Sequence, residues 1–255
     1  MEKQPQFPAE EVSLPSKGLL YPEDSPLRAG KIKMKYMTAR EEDILTNQNY
    51  IKNGVVVDKL LQSLIITPGF KYEDLLIGDK NALMIAARIL GYGAEYEIKK
   101  THPETGIESN GIINLSNIED KEINESLIID GKNEFDFTLP TSKIDITFKL
   151  LTQKDESKIE KEIEGIKKIN KTPSAGTIRL KHIILSIDKD YDIKTVRNFV
   201  DNTLLAKDSR ALRQYITQIQ PGIETRTNVE FNDGYIEENI ELPINLSFFW
   251  PDAEL

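Results

Sequence analysis

The chain has 255 residues, with 33 Lys and Arg against 42 Asp and Glu, a net charge of −9 and no cysteine. That length supports one large domain or two small ones without covalent or metal staples, and the missing thiols exclude disulfides, thiolate zinc sites and a cysteine nucleophile, in keeping with a reducing compartment such as a bacterial cytoplasm. The acidic surplus argues against a nucleic-acid partner, which takes clustered Lys and Arg; Ala82 to Ala87, the longest apolar run, is too short to span a bilayer, and the first residues lack the basic and apolar stretches of a secretory leader, so neither membrane nor export is expected.

Residues 1–30 carry Pro5, Pro8, Pro15, Pro22 and Pro26, which remove backbone donors and favour extended neighbours. An extended N-terminal arm is expected, whose Leu14, Leu19, Leu20 and Tyr21 lie either on the chain's own body or on a partner. Lys31 to Met37 alternates charged and apolar side chains, the period of a half-buried strand. Thr38 and Glu41 form an S/T-x-x-E capping box, so a helix begins at Ala39 and runs to about Leu45. It pauses near Asn47 to Gly54 and resumes through Val57, Leu60, Leu61, Leu64 and Ile65 on one face, closed by Pro68-Gly69. Asp79-Lys80-Asn81 opens a buried helix over Ala82 to Leu90, and Gly91-Tyr92-Gly93 ends it.

From Ala94 to Leu151 the pattern becomes strand-like: Ala94 to Lys99, Gly111 to Leu115, Leu127 to Asp130, Glu134 to Leu139 and Lys143 to Leu150. Pro140-Thr141-Ser142 connects the last two as a hairpin. Thr152 caps a helix to about Ile169, whose stripe of Ile159, Ile163, Ile166 and Ile169 suits either a solvated amphipathic helix or a docking helix. Ile178 to Ile187 is ambiguous, its β-branched content tilting toward strand. Amphipathic helices follow through Ile193 to Leu204 and from Asp208 or Ser209 to Ile219, stopped by Pro221-Gly222. Thr227 to Phe231 and Ile236 to Leu246 form a hairpin about Asp233-Gly234. The fold class is therefore α+β: an arm over 1–30, a mainly helical body over 31–93 and 152–222, an inserted antiparallel β module over 94–151, and a C-terminal β-hairpin with an aromatic tail over 223–255.

Catalytic signatures are absent from this sequence: it has no G-x-S-x-G elbow, Walker A loop, G-x-G-x-x-G fingerprint or H-E-x-x-H helix. His102 and His182 lack convincing partners along the chain, and the acidic clusters Glu41-Glu42-Asp43 and Glu119-Asp120-Lys121-Glu122 suit helix starts and solvated connections. Phe248-Phe249-Trp250 carries a large apolar area that either anchors the tail to the core or is covered by a partner.

Leu14-Pro15-Ser16-Lys17-Gly18-Leu19-Leu20-Tyr21-Pro22, the run Met37 to Thr46, and Phe248-Phe249-Trp250-Pro251 together resemble a family of baseplate proteins of T-even-like contractile-tailed bacteriophages, associated with the baseplate hub and its assembly. The resemblance extends through Gly54 to Leu61, Leu76 to Lys80, Arg88 to Gly93, Leu150-Leu151-Thr152 and Asp208 to Arg213. Family members carry C-P-x-C-G-like pairs that look like a zinc ribbon. Here His102-Pro103-Glu104-Thr105-Gly106 and Asn228 to Tyr235 have no thiolates, so no metal site carries over and the hairpin is expected to hold by backbone pairing.

What the resemblance implies is a non-enzymatic protein without cofactor, present in the host bacterial cytoplasm during assembly or in the virion baseplate. It would bind other hub proteins through Leu19, Leu20, Tyr21, Phe248, Phe249 and Trp250. It would act as a chaperone-like assembly factor or as a permanent subunit of the hub. A cell-wall-degrading hub enzyme is the remaining alternative, and it would need a cleft with paired carboxylates.

Overall fold

The computed structural model describes residues 8–101, 106, 108–232 and 234–249, so the expectations placed on His102, Asp233 and Trp250 lie outside the described residues. The described part of the segment read as an arm contains a strand of the body instead. β1 (Ala9–Ser13) pairs antiparallel with β2 (Lys31–Lys35), Val12 opposite Ile32 and Ser13 opposite Lys31. Pro8, Pro15, Pro22 and Pro26 fall outside this ladder, so their missing N–H groups interrupt no strand pairing. Between the strands the chain turns back on itself, and Leu14 N–H donates to Gly30 O at 2.9 Å. Gly18 makes the turn possible: its φ is +79°, and a Cβ there would stand 2.3 Å from Arg28 O.

The alternation read in β2 holds as far as Met34, with Ile32 and Met34 buried while Lys31 and Lys33 face water, and breaks at Lys35, which is buried against Glu41. Helices α1 (Ala39–Leu45) and α3 (Val56–Leu64) stand where the capping box and the leucine spacing put them. The pause between them contains one more short helix, α2 (Gln48–Lys52), restarted by Asn47, whose Oδ1 accepts from Asn49 and Tyr50 N–H. α4 (Ile77–Tyr92) starts five residues before the expected Ala82. Its first turn is buried against other segments, so solvation gives no cue to its true start.

The strands expected as one inserted module divide between two sheets. β3 (Glu95–Thr101) and β4 (Glu108–Asn114) pair with each other, and a bridge from Gly111 to Phe231 brings the hairpin of β8 (Arg226–Glu230) and β9 (Ile236–Glu241) beside them. β5 (Phe135–Thr138) and β6 (Asp145–Phe148) form the expected hairpin but continue onto β7 (Ile184–Ile187), giving an antiparallel sheet in the order β5-β6-β7. The strand expected over Leu127 to Asp130 is absent: Glu125–Leu127 is a 3₁₀ turn capped by Asn124. The ambiguous Ile178 to Ile187 is both elements in succession, since α6 (Ala175–Ile183) passes directly into β7. Pairing with β6 decides the second half, a tertiary effect that propensity cannot register.

α5 (Gln153–Lys168), α7 (Ile193–Asn202) and α8 (Ala206–Ile219) complete the helical layer, and the short α9 (Leu246–Phe249) follows the last strand. The result is an α+β fold with one continuous apolar cluster, in which Phe148, Phe248, Phe249, Leu45, Leu60, Leu61, Leu64 and Leu75 are sealed from solvent. Among the described residues no helix is long and apolar enough to cross a membrane.

The closest backbone approach lies at the start of α4, where a Cβ on Gly78 would stand 1.7 Å from Pro221 O. Gly78→Ala should therefore force α4 from the Pro221 segment and lower stability by about 3 kcal/mol, the upper range for overpacking. Gly165, within α5, has open space around its Cβ position. Gly165→Ala should raise stability by about 0.5–1 kcal/mol through helix propensity alone. Urea denaturation of the two variants beside the wild type checks both signs.

Candidate functional site

Segments far apart in sequence converge at the N-terminus of α4. Asp79 occupies the third position of that helix and is fully buried. Its carboxylate accepts from Ser16 N–H at 2.9 Å, from Ser16 Oγ at 2.7 Å and from Tyr21 Oη at 2.6 Å. The Tyr21 oxygen in turn accepts from Leu76 N–H at 2.9 Å. Every polar atom of this knot is used on the loop or the helix entry, and the Leu150-Leu151-Thr152 segment joins beside it. Ile77 N–H donates to Leu151 O at 3.1 Å and Gln153 N–H to Leu75 O at 2.9 Å. Burial raises the Asp79 carboxyl above the usual range even with three donors on it, and burial with the adjacent carboxylate pushes the Tyr21 phenol well up.

A cleft of about 380 Å³ opens beside the knot. Tyr21, Pro22, Pro26, Lys71, Asp74 and Asn133 are among the residues that line it. Asn133 is already committed as a strand mimic, its amide exchanging hydrogen bonds with Leu150 N–H and O at 2.9 and 2.8 Å. What remains for a visitor is a mixed surface of prolines, one lysine and two aspartates, with the phenol of Tyr21 directed into the protein.

Three further buried carboxylates repeat the placement of Asp79. Glu41 is third in α1, Asp155 third in α5 and Asp208 third in α8, all with less than a tenth of their surface exposed. Glu41 accepts from Lys35 Nζ at 2.7 Å, Ser63 Oγ at 2.7 Å and both Thr38 N–H and Oγ1. Burial alone would raise its pKa, yet these donors hold it at about 2. Asp155 takes Lys149 Nζ at 2.7 Å and closes a capping box with Thr152. Asp208 receives the N–H groups of Thr141 and Ser142 at 2.7 and 3.0 Å, which fixes the β5–β6 turn. Burial pushes both aspartates up, but Lys149 in one case and the two amides in the other more than offset it.

His182 bonds Glu162 at 3.1 Å, and Arg197 holds the same carboxylate with two bonds of 2.9 and 2.8 Å. This cluster ties α5, α6 and α7 together, and the arginine is the main cause that holds Glu162 at about 2. Arg88, nearly fully buried, caps the other end of α4 by donating to Gly93 O at 2.9 Å and Glu95 O at 3.2 Å. Among the described residues no group of three or more His, Asp or Glu side chains is placed to hold a metal ion.

The side chains expected to meet a partner lie mostly inside. Leu20 and Tyr21 are buried and Leu19 is half-buried. Phe248 and Phe249 are both sealed, the former 5.1 Å from the Tyr96 ring and 5.2 Å from its neighbour. Their apolar area closes the chain's own core, which removes Leu20, Tyr21, Phe248 and Phe249 as surface contacts. Sequence reasoning missed Asp79, Asp208 and Arg88 as organising residues, because their partners lie across turns or tens of residues away. The one local signal was an acid three residues into each helix.

Tyr21→Phe should leave Leu76 N–H unsatisfied and take one donor from a buried carboxylate, a loss of about 2 kcal/mol read by urea denaturation. Glu41 has a folded pKa depressed from 4.5 to about 2, so its contribution is complete above 4.5 and disappears as the pH falls toward 2. Glu41→Gln should cost about 3 kcal/mol at neutral pH by removing the buried anion on which the Lys35, Ser63 and Thr38 donors converge. Thermal melts across that acid window should show a flatter decline in Glu41→Gln than in the wild type. Set against family models, curated proteins and solved structures, the chain finds no match.

Proposed function

We propose that the chain is a non-enzymatic component of contractile-tail baseplate assembly, binding hub proteins as a chaperone-like factor or as a subunit retained in the hub. The observation that carries this reading is the convergence of the resembling segments in space. Leu14 to Pro22, Leu76 to Lys80 and Leu150-Leu151-Thr152 meet in the hydrogen-bond network around Asp79. The run Met37 to Thr46 and the run Asp208 to Arg213 each contribute a buried carboxylate that fixes a neighbouring segment. Motifs that build a scaffold in this way suit a protein whose work is to present a shape. The buried acids Glu41, Asp79, Asp155 and Asp208 are consumed as fasteners, which favours this reading over a hydrolase needing two carboxylates free to exchange protons with substrate.

With Leu20, Tyr21, Phe248 and Phe249 in the core, contacts with a partner come from exposed faces of the folded body. The chaperone and the retained subunit share this mechanism and differ in fate alone. Quantitative mass spectrometry of purified virions beside lysate of infected cells separates them. Stoichiometric copies in particles identify a hub subunit, and abundance in lysate with absence from particles identifies an assembly factor. Absence from both the particles and the tail-assembly intermediates in lysate would overturn the proposal.

A further inference from the structure

β5 is the edge of its sheet, paired with β6 on one side. Asp136 and Thr138 of β5 share a face with Asp145 and Thr147 of β6, opposite to the face of Phe137 and Ile146. With Lys189 and Tyr191 these four line a cleft of about 430 Å³. Each carboxylate is held by the hydroxyl of its cross-strand partner, Thr147 Oγ1 donating to Asp136 at 2.8 Å and Thr138 Oγ1 to Asp145 at 2.6 Å.

The turn after β7 is fixed from both sides. Asp188 N–H donates to Asp145 O at 2.7 Å, Asp145 N–H donates to Asp188 Oδ1 at 3.1 Å, and Ile187 and Asp190 exchange bonds of 3.0 and 2.8 Å. This turn presents Tyr191 with 58% of its surface exposed, and Ile193 at the start of α7 with 72%, the most exposed large apolar side chain among the described residues. A fixed turn has little freedom left to lose on binding.

Charge identifies the occupant. Asp136, Asp145, Asp188, Asp190 and Asp192 are all exposed, against Lys189 and Lys194 in the same region. Their hydrogen bonds run to hydroxyls and backbone amides, which leave the negative charge uncompensated. Nucleic acid and anionic lipid are repelled by such a surface, and a second copy of a chain of net charge −9 brings more of the same sign. We infer that this face docks a basic, extended segment of a partner protein. The segment lies in the cleft on the β5–β6 face, sets Lys or Arg side chains on the carboxylates, and lays an apolar side chain against Tyr191 and, where the chain continues into α7, Ile193. The inference rests on the reading that the chain works by binding proteins, and it adds the partner's chemistry and the face used.

The test uses the full chain, labelled with ¹⁵N, and a blocked peptide of sequence Lys-Val-Lys-Phe-Lys-Val-Lys, with the peptide carrying Glu in place of each Lys as its control. The expected result is a saturable set of amide shifts confined to β5, the 187–192 turn and the start of α7, weakened by added salt. Ile193→Ser and Asp136→Asn should each weaken binding about tenfold with the melting temperature unchanged. Shifts scattered over the whole surface, equal binding of the acidic peptide, or wild-type binding by both variants would overturn the inference. Concentration-dependent shifts at the same residues without peptide would overturn it too, by making this a self-association face. None of these outcomes alters the particle measurement, so failure here is distinguishable from failure of the functional reading.

Discussion

The fold depends on a carboxylate buried at the third residue of a helix, used four times. At that position the side chain lies beside unpaired N–H groups and the positive end of the helix dipole. The environment favours an anion there while burial opposes it. Glu41 and Asp155 reach back to their own caps and onto a lysine, so each fixes the entry of its helix. Asp79 and Asp208 reach outward instead, to Ser16 and Tyr21 and to Thr141 and Ser142. The first pair sets where helices start, and the second sets which distant loop lies against them.

The four anchors do not respond alike to acid, and Asp79 stands apart from the other three. Lysine, hydroxyl and amide donors hold Glu41, Asp155 and Asp208 below their ordinary range, so protonation removes stability as the pH falls. Asp79 lacks a cation and is raised by burial, so its protonated form is accommodated more readily in the folded chain than in the unfolded one. Acid should therefore loosen the α1, α5 and α8 anchorages before the knot that holds the N-terminal loop.

What the sequence made legible follows the range of each interaction. The Thr38–Glu41 box, the leucine face of α3, the cap at Thr152 and the strands β2, β5 and β6 are local, and each stands where its spacing put it, although burial of Lys35 and Thr147 interrupts the alternation in β2 and β6. Asp79 looked like the residue before a helix, because nothing nearby shows that its partners lie 58 and 63 residues away. β7 was half-legible for the same reason: Ile184 and Ile187 suit a strand, but α6 claims Ile183 and only β6 makes the boundary. The prolines of residues 1–30 suggested an arm, whereas Pro15, Pro22 and Pro26 lie in a loop that returns to pair β1 with β2. The candidate site was legible as a motif and not as a network, since hydrogen bonds across 50 residues leave no periodicity.

The isoleucine stripe of α5 shows how one pattern can serve packing and exposure along a single helix. Ile159 is buried, Ile163 and Ile166 are half-buried, and Ile169 beyond the helix end is 63% exposed. The helix thus leaves the body as it proceeds. Glu162, at the point of departure, is gripped by Arg197 and His182 and holds α6 and α7 to the part that is still packed. A uniform stripe in sequence becomes a gradient in burial, because side-chain spacing fixes which face is apolar and only the neighbouring elements fix how far that face is covered. The same division applies to the aromatic tail. Three successive rings promised a large apolar contact, and the position of β3, through Tyr96, makes Phe248 and Phe249 part of the core. The apolar pattern likewise does not select what the surface leaves exposed beside the β5–β6 cleft, the aspartates together with Tyr191 and Ile193.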